Sequence, residues 1–234
     1  LTAYSVVAVA CNYVEKTLGI MTRPLFITFE GPEGAGKTSV LEALVSELKP
    51  ILGDQLVTTR EPGGNPISEA IRQILQPEDD NGMDDRTEAL LYAAARRQHI
   101  VETILPALSA GKVLISDRYV DSSLAYQGGG RDLGVDNIWQ INQFAIDGLL
   151  PDLTIYFDVP SELGLSRVMA NRQGKIDRLD KESLSFHQRV RTTYLELQHD
   201  FSDRIKIIDA TQPLTDVISD TRALLQEALN SRKG

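Results

Sequence analysis

Cysteine is almost absent from the sequence: Cys11 is the single one among 234 residues. A disulfide framework within one chain is therefore excluded, and a chain of this length buries enough surface to fold without one. A protein without disulfides belongs by default to a reducing compartment. We therefore expect a cytoplasmic protein, and the length favours one large α/β domain over two small ones.

Positive charge is also scarce. The chain has 24 lysines and arginines against 33 aspartates and glutamates, a formal net charge of −9. Binding along a nucleic-acid backbone needs a basic face, so a nucleic-acid coat protein is a poor candidate. A local cluster of arginines can still bind small anions. We expect small-molecule partners and no nucleic acid.

Long hydrophobic runs are missing as well. The apolar run Ala3–Cys11 is far too short to span a bilayer, and no basic residue precedes it. Its end, Val9-Ala10-Cys11, weakly resembles a lipoprotein processing site. We interpret residues 1–20 as an extension before a natural start at Met21, and residues 21–234 as a single domain. No later segment has the pattern of a membrane span, so no membrane partner is expected.

Short apolar runs alternate with longer amphipathic stretches after Met21. The apolar runs predict strands at Leu25–Glu30, Gln55–Arg60, Val113–Asp117, Leu153–Asp158 and Ile205–Asp209. Helical patterns lie between them, at Lys37–Lys49, Ile67–Leu75, Arg86–Leu108, Ser122–Gln127, Asn137–Leu149, Glu162–Ala170, Lys181–Phe201 and Leu214–Leu229. Strands that alternate with helices predict a mostly parallel sheet with helices on both faces.

The strongest motif is GPEGAGKT, which matches G-x-x-x-x-G-K-[ST] and lies between a buried strand and a helix. In such a loop, successive backbone N–H groups and the helix N-terminus surround phosphate oxygens. Lys37 would reach the β- and γ-phosphates, and the Thr38 hydroxyl would bind Mg²⁺. We predict an ATP or GTP site formed by Gly31, Pro32, Glu33, Gly34, Ala35, Gly36, Lys37 and Thr38.

An acid closes the third predicted strand, where Asp117 follows the run VLIS. At the carboxyl end of a neighbouring parallel strand, such an acid is placed to hold the water shell of the magnesium ion. The alternative is that Asp117 simply caps a helix. Arg118 follows directly and is expected to face the same crevice.

Several features favour a kinase of small phosphates. No guanine-reading Asn-Lys-x-Asp segment is present, and arginines lie at strand ends and in loops: Arg60, Arg96, Arg118, Arg172 and Arg178. Bringing a monophosphate up to ATP places two polyanions in contact, and Mg²⁺ and forked guanidinium groups relieve that repulsion. A phosphate oxygen is already anionic, so the reaction needs no general base and no catalytic histidine.

An ordered set of motifs resembles bacterial thymidylate kinases. It comprises Phe29–Thr38, Thr59–Gly64, Leu91–Arg96, Asp117-Arg118-Tyr119, Ala125–Arg131 and Pro151-Asp152-Leu153, and the match extends from about Leu25 to the C-terminal helix. The resemblance implies a P-loop three-layer α/β sandwich around a five-stranded parallel sheet in the order 2-3-1-4-5. It also implies a homodimer and phosphoryl transfer from ATP to dTMP.

The resemblance also implies roles at the acceptor phosphate and sugar. Arg60 and Arg118 would grip the dTMP phosphate. Glu33, inside the P-loop, would meet the deoxyribose 3′-hydroxyl and help to place the acceptor. Tyr126 would crowd the sugar 2′ position and disfavour ribonucleotides, although it could instead be an ordinary core aromatic residue.

At the base, the resemblance places Tyr92 against the face of thymine and Arg96 at a thymine carbonyl. Ser123 and Gln127 match polar residues at the base edge. The alternatives are a core aromatic residue for Tyr92 and a surface helix charge for Arg96. Arg96 lies one helical turn after Tyr92, on the same helix face.

The P-loop departs from one class of the family, because Gly34 stands where some thymidylate kinases carry a basic residue. The other class supplies that charge from a mobile lid, and residues 171–180 (NRQGKIDRLD) resemble it. Arg178 would then act on the transferred phosphoryl group, with Arg172 at ATP and Lys175 as a further cation. The alternative is a solvated basic loop.

Two rival functions stay open from the sequence. The nearer one is a kinase for dUMP, dCMP or a deoxynucleoside; Arg60 and Arg118 argue against an acceptor without phosphate. The other is a regulatory P-loop protein that binds ATP and a partner but has no activity. A panel of monophosphates tested with ATP separates them.

Overall fold

The computed structural model describes residues 23–76, 82–171 and 178–232. The predicted N-terminal extension lies outside the described residues, and so do Arg172 and Lys175 of the predicted lid. Among the residues that are described, no helix is long and apolar enough to cross a membrane.

Five parallel strands form the central sheet in the order β2-β3-β1-β4-β5. They are β1 Leu25–Glu30, β2 Leu56–Arg60, β3 Val113–Asp117, β4 Leu153–Asp158 and β5 Ile205–Asp209. The predicted order is confirmed, and only β2 differs in its bounds, by one residue. β1, β3 and β4 are buried along nearly their whole length, because helices cover both faces of the sheet.

The helices match the predicted positions, with one interruption and one change of type. They are α1 Lys37–Leu52, α2 Pro66–Leu75, α3 Asp85–His99, α4 Leu105–Ser109, α5 Val120–Ser123, α6 Val135–Ile146, α7 Ser161–Asn171, α8 Leu184–Asp200 and α9 Leu214–Ser231. Short 3₁₀ turns occur at Gly53–Gln55 and Leu179–Lys181.

The long helix predicted over Arg86–Leu108 is interrupted by a π-helical segment at Ile100–Ile104. Pro106 has no N–H to donate to the fourth residue before it, so the regular α-helical ladder cannot continue there. The helix predicted at Ser122–Gln127 is also different: α5 is one turn long and leads into a second π-helical segment, Leu124–Gly130.

The fold has three layers, a central sheet between two layers of helices, and the core lies between the layers. Apolar side chains of α1 and α9 pack on one face of the sheet, and those of α6, α8 and the second π-helical segment pack on the other. Because all five strands are parallel, β1, β2 and β3 end at the same edge. That edge is where ligands bind in open α/β sheets.

Candidate active site

The predicted phosphate-binding loop follows β1 and leads into α1. Gly34 has a positive φ of 74°, and a Cβ there would lie 2.1 Å from the backbone oxygen of Gly164. A Cβ at Gly31 would lie 2.6 Å from the oxygen of Phe157. Only glycine therefore fits these positions, and the loop leaves the free N–H groups at the start of α1 available to an anion.

The Lys37 side chain binds backbone oxygens of this loop. Its Nζ donates to the oxygens of Gly31, at 2.8 Å, and Pro32, at 2.9 Å. Burial, reinforced by the nearby Arg118 charge, lowers the pKa of Lys37 to about 8. The ammonium group thus lies where the motif predicts contact with the β- and γ-phosphates.

One cavity of about 760 Å³ extends from this loop to the side chains predicted to read the base. It unites residues from distant parts of the sequence at the carboxyl ends of the strands. The predicted site residues that line it are Glu33, Gly34, Ala35, Gly36, Lys37, Thr38, Arg60, Tyr92, Arg96, Asp117, Arg118, Ser123, Tyr126 and Gln127. Arg178 does not line the cavity, although its neighbour Leu179 does.

Arg118 lines the cavity and has an uncommon backbone conformation, with φ at 71°. Its guanidinium group pairs with Glu33 and donates to the oxygen of Gly31 and to Ser122 Oγ, both at 3.1 Å. It also lies 5.0 Å from the ring centre of Tyr126. A single cation therefore contacts the loop, the acidic loop residue and the predicted sugar-side ring.

Glu30, a residue that sequence reasoning missed, holds the turn around Arg118. Its fully buried carboxylate accepts from the backbone N–H of Tyr119 at 2.7 Å, from Ser122 Oγ at 2.6 Å and from the Tyr194 hydroxyl at 2.9 Å. Burial, together with the nearby Asp121 charge, raises the pKa of Glu30 to about 7. The available signal was an acid that ends an apolar strand directly before the P-loop.

Asp117 has the surroundings expected of a residue that serves a cation. Its Oδ1 is buried and has no hydrogen-bond partner among the described residues. No side chain caps α5, so the helix-capping alternative for Asp117 is wrong. A buried carboxylate oxygen without a donor fits a cation or its bound water, and the exposed Thr38 lines the same cavity.

Arg96 is 2% exposed, so the surface-charge alternative is wrong. Its Nε donates to Glu61 at 2.8 Å and its Nη2 to the oxygen of Tyr119 at 2.9 Å. Its Nη1 donates to Ser123 Oγ at 3.0 Å and to Asn142 Oδ1. Of the five N–H groups of arginine, one on Nη2 is left for a ligand in the cavity.

A connected series of hydrogen-bonded side chains holds Glu61, the carboxylate partner of Arg96. Glu61 Oε1 lies 2.9 Å from His99 Nδ1, and His99 Nε2 lies 2.6 Å from Thr59 Oγ1. Both ring nitrogens of His99 therefore have partners. Glu61 belongs to the Thr59–Gly64 motif, but nothing in its spacing indicated the histidine partner.

The two aromatic residues differ in their surroundings. Tyr92 is half-buried and lines the cavity, and burial raises the pKa of its hydroxyl to about 12. Tyr126 is both a core and a cavity residue. Its ring packs edge-on against Phe186 and Tyr194, while its hydroxyl lies 3.3 Å from Arg118 Nη2.

Arg60 and Arg178, the remaining predicted cations that the structure describes, bind carboxylates. Arg60 Nη2 donates to Glu69 Oε1 at 2.7 Å, and half of its side chain is exposed at the cavity. Arg178 pairs with the fully buried Glu88 and does not line the cavity. Glu88, which sequence reasoning also missed, further binds Gln127 and Arg131.

Comparisons with known proteins agree with one another. A family model described as thymidylate kinase matches residues 29–221. The thymidylate kinase of Leuconostoc mesenteroides is 77% identical over 212 residues, which cover 91% of this chain and 100% of that protein. The thymidylate kinase of Levilactobacillus brevis is 60% identical over 87% of this chain and 95% of its own length. The crystal structure of thymidylate kinase from Ehrlichia chaffeensis superposes with a TM-score of 0.71 at 32% identity, over 87% of this chain and 98% of that one.

Proposed function

The chain belongs to the thymidylate kinase family, and from that premise we propose how its residues carry out the reaction. The enzyme transfers the γ-phosphoryl group of ATP to dTMP and yields dTDP. One observation carries the assignment of residues: the P-loop and the side chains predicted to read the base line one cavity. Donor and acceptor can therefore meet within it.

At the ATP end, the backbone N–H groups at the start of α1 and the Lys37 ammonium group neutralise the phosphates. Mg²⁺ would be held by Thr38 and Asp117, and it would supply further neutralisation of the β- and γ-phosphate charge. The support is the unpartnered, buried Oδ1 of Asp117 in the same cavity as Thr38.

At the acceptor end, Arg60 and Arg118 bind the dTMP phosphate, since both arginines line the cavity that the P-loop also lines. Arg118 is already held by Glu33. Glu33 is then placed to accept a hydrogen bond from the 3′-hydroxyl of the sugar. No proton has to be removed from a phosphate oxygen, so the reaction depends on charge neutralisation and alignment.

At the base, Tyr92 stacks on thymine and the remaining N–H of Arg96 donates to a ring carbonyl. Ser123 and Gln127 contact the polar edge of the base. The support is that Arg96 is locked by four hydrogen bonds in the cavity wall. A base without a matching acceptor would leave a buried guanidinium N–H unpaired, which is costly.

A panel of acceptors tests this proposal. With ATP, we expect dTMP to be the best acceptor and dGMP and AMP to be very poor, because a purine would collide with the stacked pocket. The preference over dUMP should be about 10- to 200-fold, the value of one methyl group. Coupled detection of ADP measures each kcat/KM. Equal use of dGMP, AMP or unphosphorylated thymidine would contradict the assignment, and no turnover at all would favour the regulatory alternative.

Tyr126 is expected to select against a 2′-hydroxyl. In Tyr126→Ala, kcat/KM for ribothymidine monophosphate relative to dTMP should rise by about tenfold, because the obstructing ring is removed. Tyr126→Phe keeps the ring and loses only the hydroxyl near Arg118, so its ratio should stay close to the parent value. Both acceptors are assayed in one preparation, so lost packing against Phe186 and Tyr194 cancels. An unchanged ratio in Tyr126→Ala would return this residue to a purely structural role.

We also propose a cytoplasmic homodimer. Helices α2 and α6 both pack against α3, and all three helices expose large apolar side chains. Ile67 is 52% exposed, Leu90 56% and Phe144 90%. A surface of this kind is typical of a protein interface. Sedimentation equilibrium that gives only the monomer mass would contradict the dimer.

A further inference from the structure

Glu88 lies beneath the base-reading end of the cavity, one helical turn before Tyr92. It is fully buried. Its Oε2 binds two arginines, Arg131 Nη2 at 3.2 Å and Arg178 Nη2, while its Oε1 accepts from Gln127 Nε2 at 2.7 Å. Both oxygens of Glu88 accept hydrogen bonds from cationic or amide donors, so this carboxylate acts only as a hydrogen-bond acceptor.

This chemistry determines which end of the Gln127 amide faces the ligand. Gln127 carries one NH₂ donor group and one carbonyl acceptor, and Glu88 can bind only the donor. Its carbonyl Oε1 accepts no hydrogen bond from any residue in the described part of the chain and is not sealed from solvent. Because Gln127 lines the cavity, that oxygen is left to accept from a bound base.

Pyrimidine bases differ at the edge that such an oxygen would meet. Thymine and uracil carry an N3–H donor beside the O4 acceptor, whereas cytosine carries an N3 acceptor beside an amino donor. A carbonyl from Gln127 and an N–H from Arg96 match the first pattern and oppose the second at both atoms. We propose that Glu88 is a positioning residue that fixes the Gln127 amide and thereby makes the enzyme discriminate thymine and uracil from cytosine.

The inference rests on the proposed function, in which the base lies between Tyr92 and Gln127. If Glu88 had only a structural role, its replacement would have different effects on the acceptors. Loss of an ion pair with Arg131 or Arg178 would loosen the site for all acceptors alike. Loss of the amide constraint affects only the comparison between bases that differ at N3 and at the neighbouring exocyclic group.

The experiment is Glu88→Gln, with kcat/KM measured for dTMP, dUMP and dCMP in the same preparation. The new amide can donate as well as accept, so Gln127 can turn its NH₂ group toward N3 of cytosine. We expect the dTMP-to-dCMP ratio to fall by about tenfold or more. The dTMP-to-dUMP ratio should stay unchanged, because both of those bases carry N3–H.

Two further variants make the result decisive. Arg131→Met removes one ion pair of Glu88 but leaves the carboxylate on Gln127, so it should lower the thermal stability and leave both ratios unchanged. Glu88→Met, which removes the acceptor for the Gln127 amide entirely, replaces Glu88→Gln if that protein does not fold. A dTMP-to-dCMP ratio that stays at the parent value in a folded Glu88 variant overturns the inference, as does an equal fall of both ratios.

Gln127→Met separates this inference from the proposed function. If it lowers the dTMP-to-dCMP ratio while the Glu88 variants do not, Gln127 reads the base but Glu88 does not position it. If Gln127→Met leaves the ratio unchanged, Gln127 does not read the base, and both the inference and that part of the proposed function are wrong. A fall of the ratio in both variants supports both.

Discussion

Replacing Lys37 by alanine should lower kcat for dTMP phosphorylation by about 10²- to 10³-fold or more. The Lys37 ammonium group lies inside the P-loop, held by the oxygens of Gly31 and Pro32 at 2.8 and 2.9 Å. In the proposed function, its charge acts on the phosphate oxygens, where negative charge accumulates during transfer. The measurement is ADP release at saturating ATP and dTMP.

The fold of the Lys37→Ala enzyme should survive, because the side chain binds two loop oxygens and packs little apolar surface. Lys49 offers a matched control, since it lies on the same helix α1 but is exposed and outside the cavity. Lys49→Ala removes the same charge and should leave kcat unchanged. A folded Lys37→Ala enzyme with near-normal turnover would contradict the P-loop assignment.

Arg178→Ala is expected to lower kcat by about 10³-fold with little change in KM for dTMP. Gly34 leaves Lys37 as the only side-chain cation of the P-loop itself. An arginine delivered to the equatorial oxygens of the transferred phosphoryl group can supply an effect of that size. Arg178 binds Glu88 in the present structure, so it must leave that carboxylate to reach the phosphate.

Steady-state kinetics distinguishes this role from two others. If Arg178 only binds ATP in the ground state, KM for ATP rises and saturating ATP restores the rate. If Arg178 only pairs with Glu88, Arg178→Ala should do no more harm than Arg131→Met, which removes another cation from the same carboxylate. Either outcome would contradict the lid hypothesis and make Arg172 the next residue to test.

The strands of the sheet could largely be predicted from local sequence pattern. Four of the five strands have the bounds that their apolar runs predict. For β1, β3 and β4 the reason is that a strand covered on both faces has to be apolar, whereas β5 lies at the end of the sheet and is partly exposed. The two π-helical segments were not predicted. The first has a local cause, the missing N–H of Pro106. The second packs closely on α8, where a Cβ at Gly129 would lie 2.0 Å from Thr193 Oγ1.

By itself, the sequence determined where the phosphate-binding loop is predicted, since the chemistry of such a loop needs contiguous residues: glycines that fold the backbone inward, Lys37 and Thr38. The order of the strands was likewise predicted, through the ordered motifs of the family. The same motifs indicated which side chains should gather around the acceptor, although not what holds them in place.

Only the tertiary structure decided which groups hold these side chains in place. Glu61, Asn142 and the backbone of Tyr119 converge on Arg96 from three separate segments. Glu88 similarly accepts hydrogen bonds from Gln127, Arg131 and Arg178. No spacing along the chain marks such partners, because a buried charge can be satisfied by any donor or acceptor that the packing brings within about 3 Å. The identity of those partners is therefore a property of the folded chain, fixed by side-chain packing.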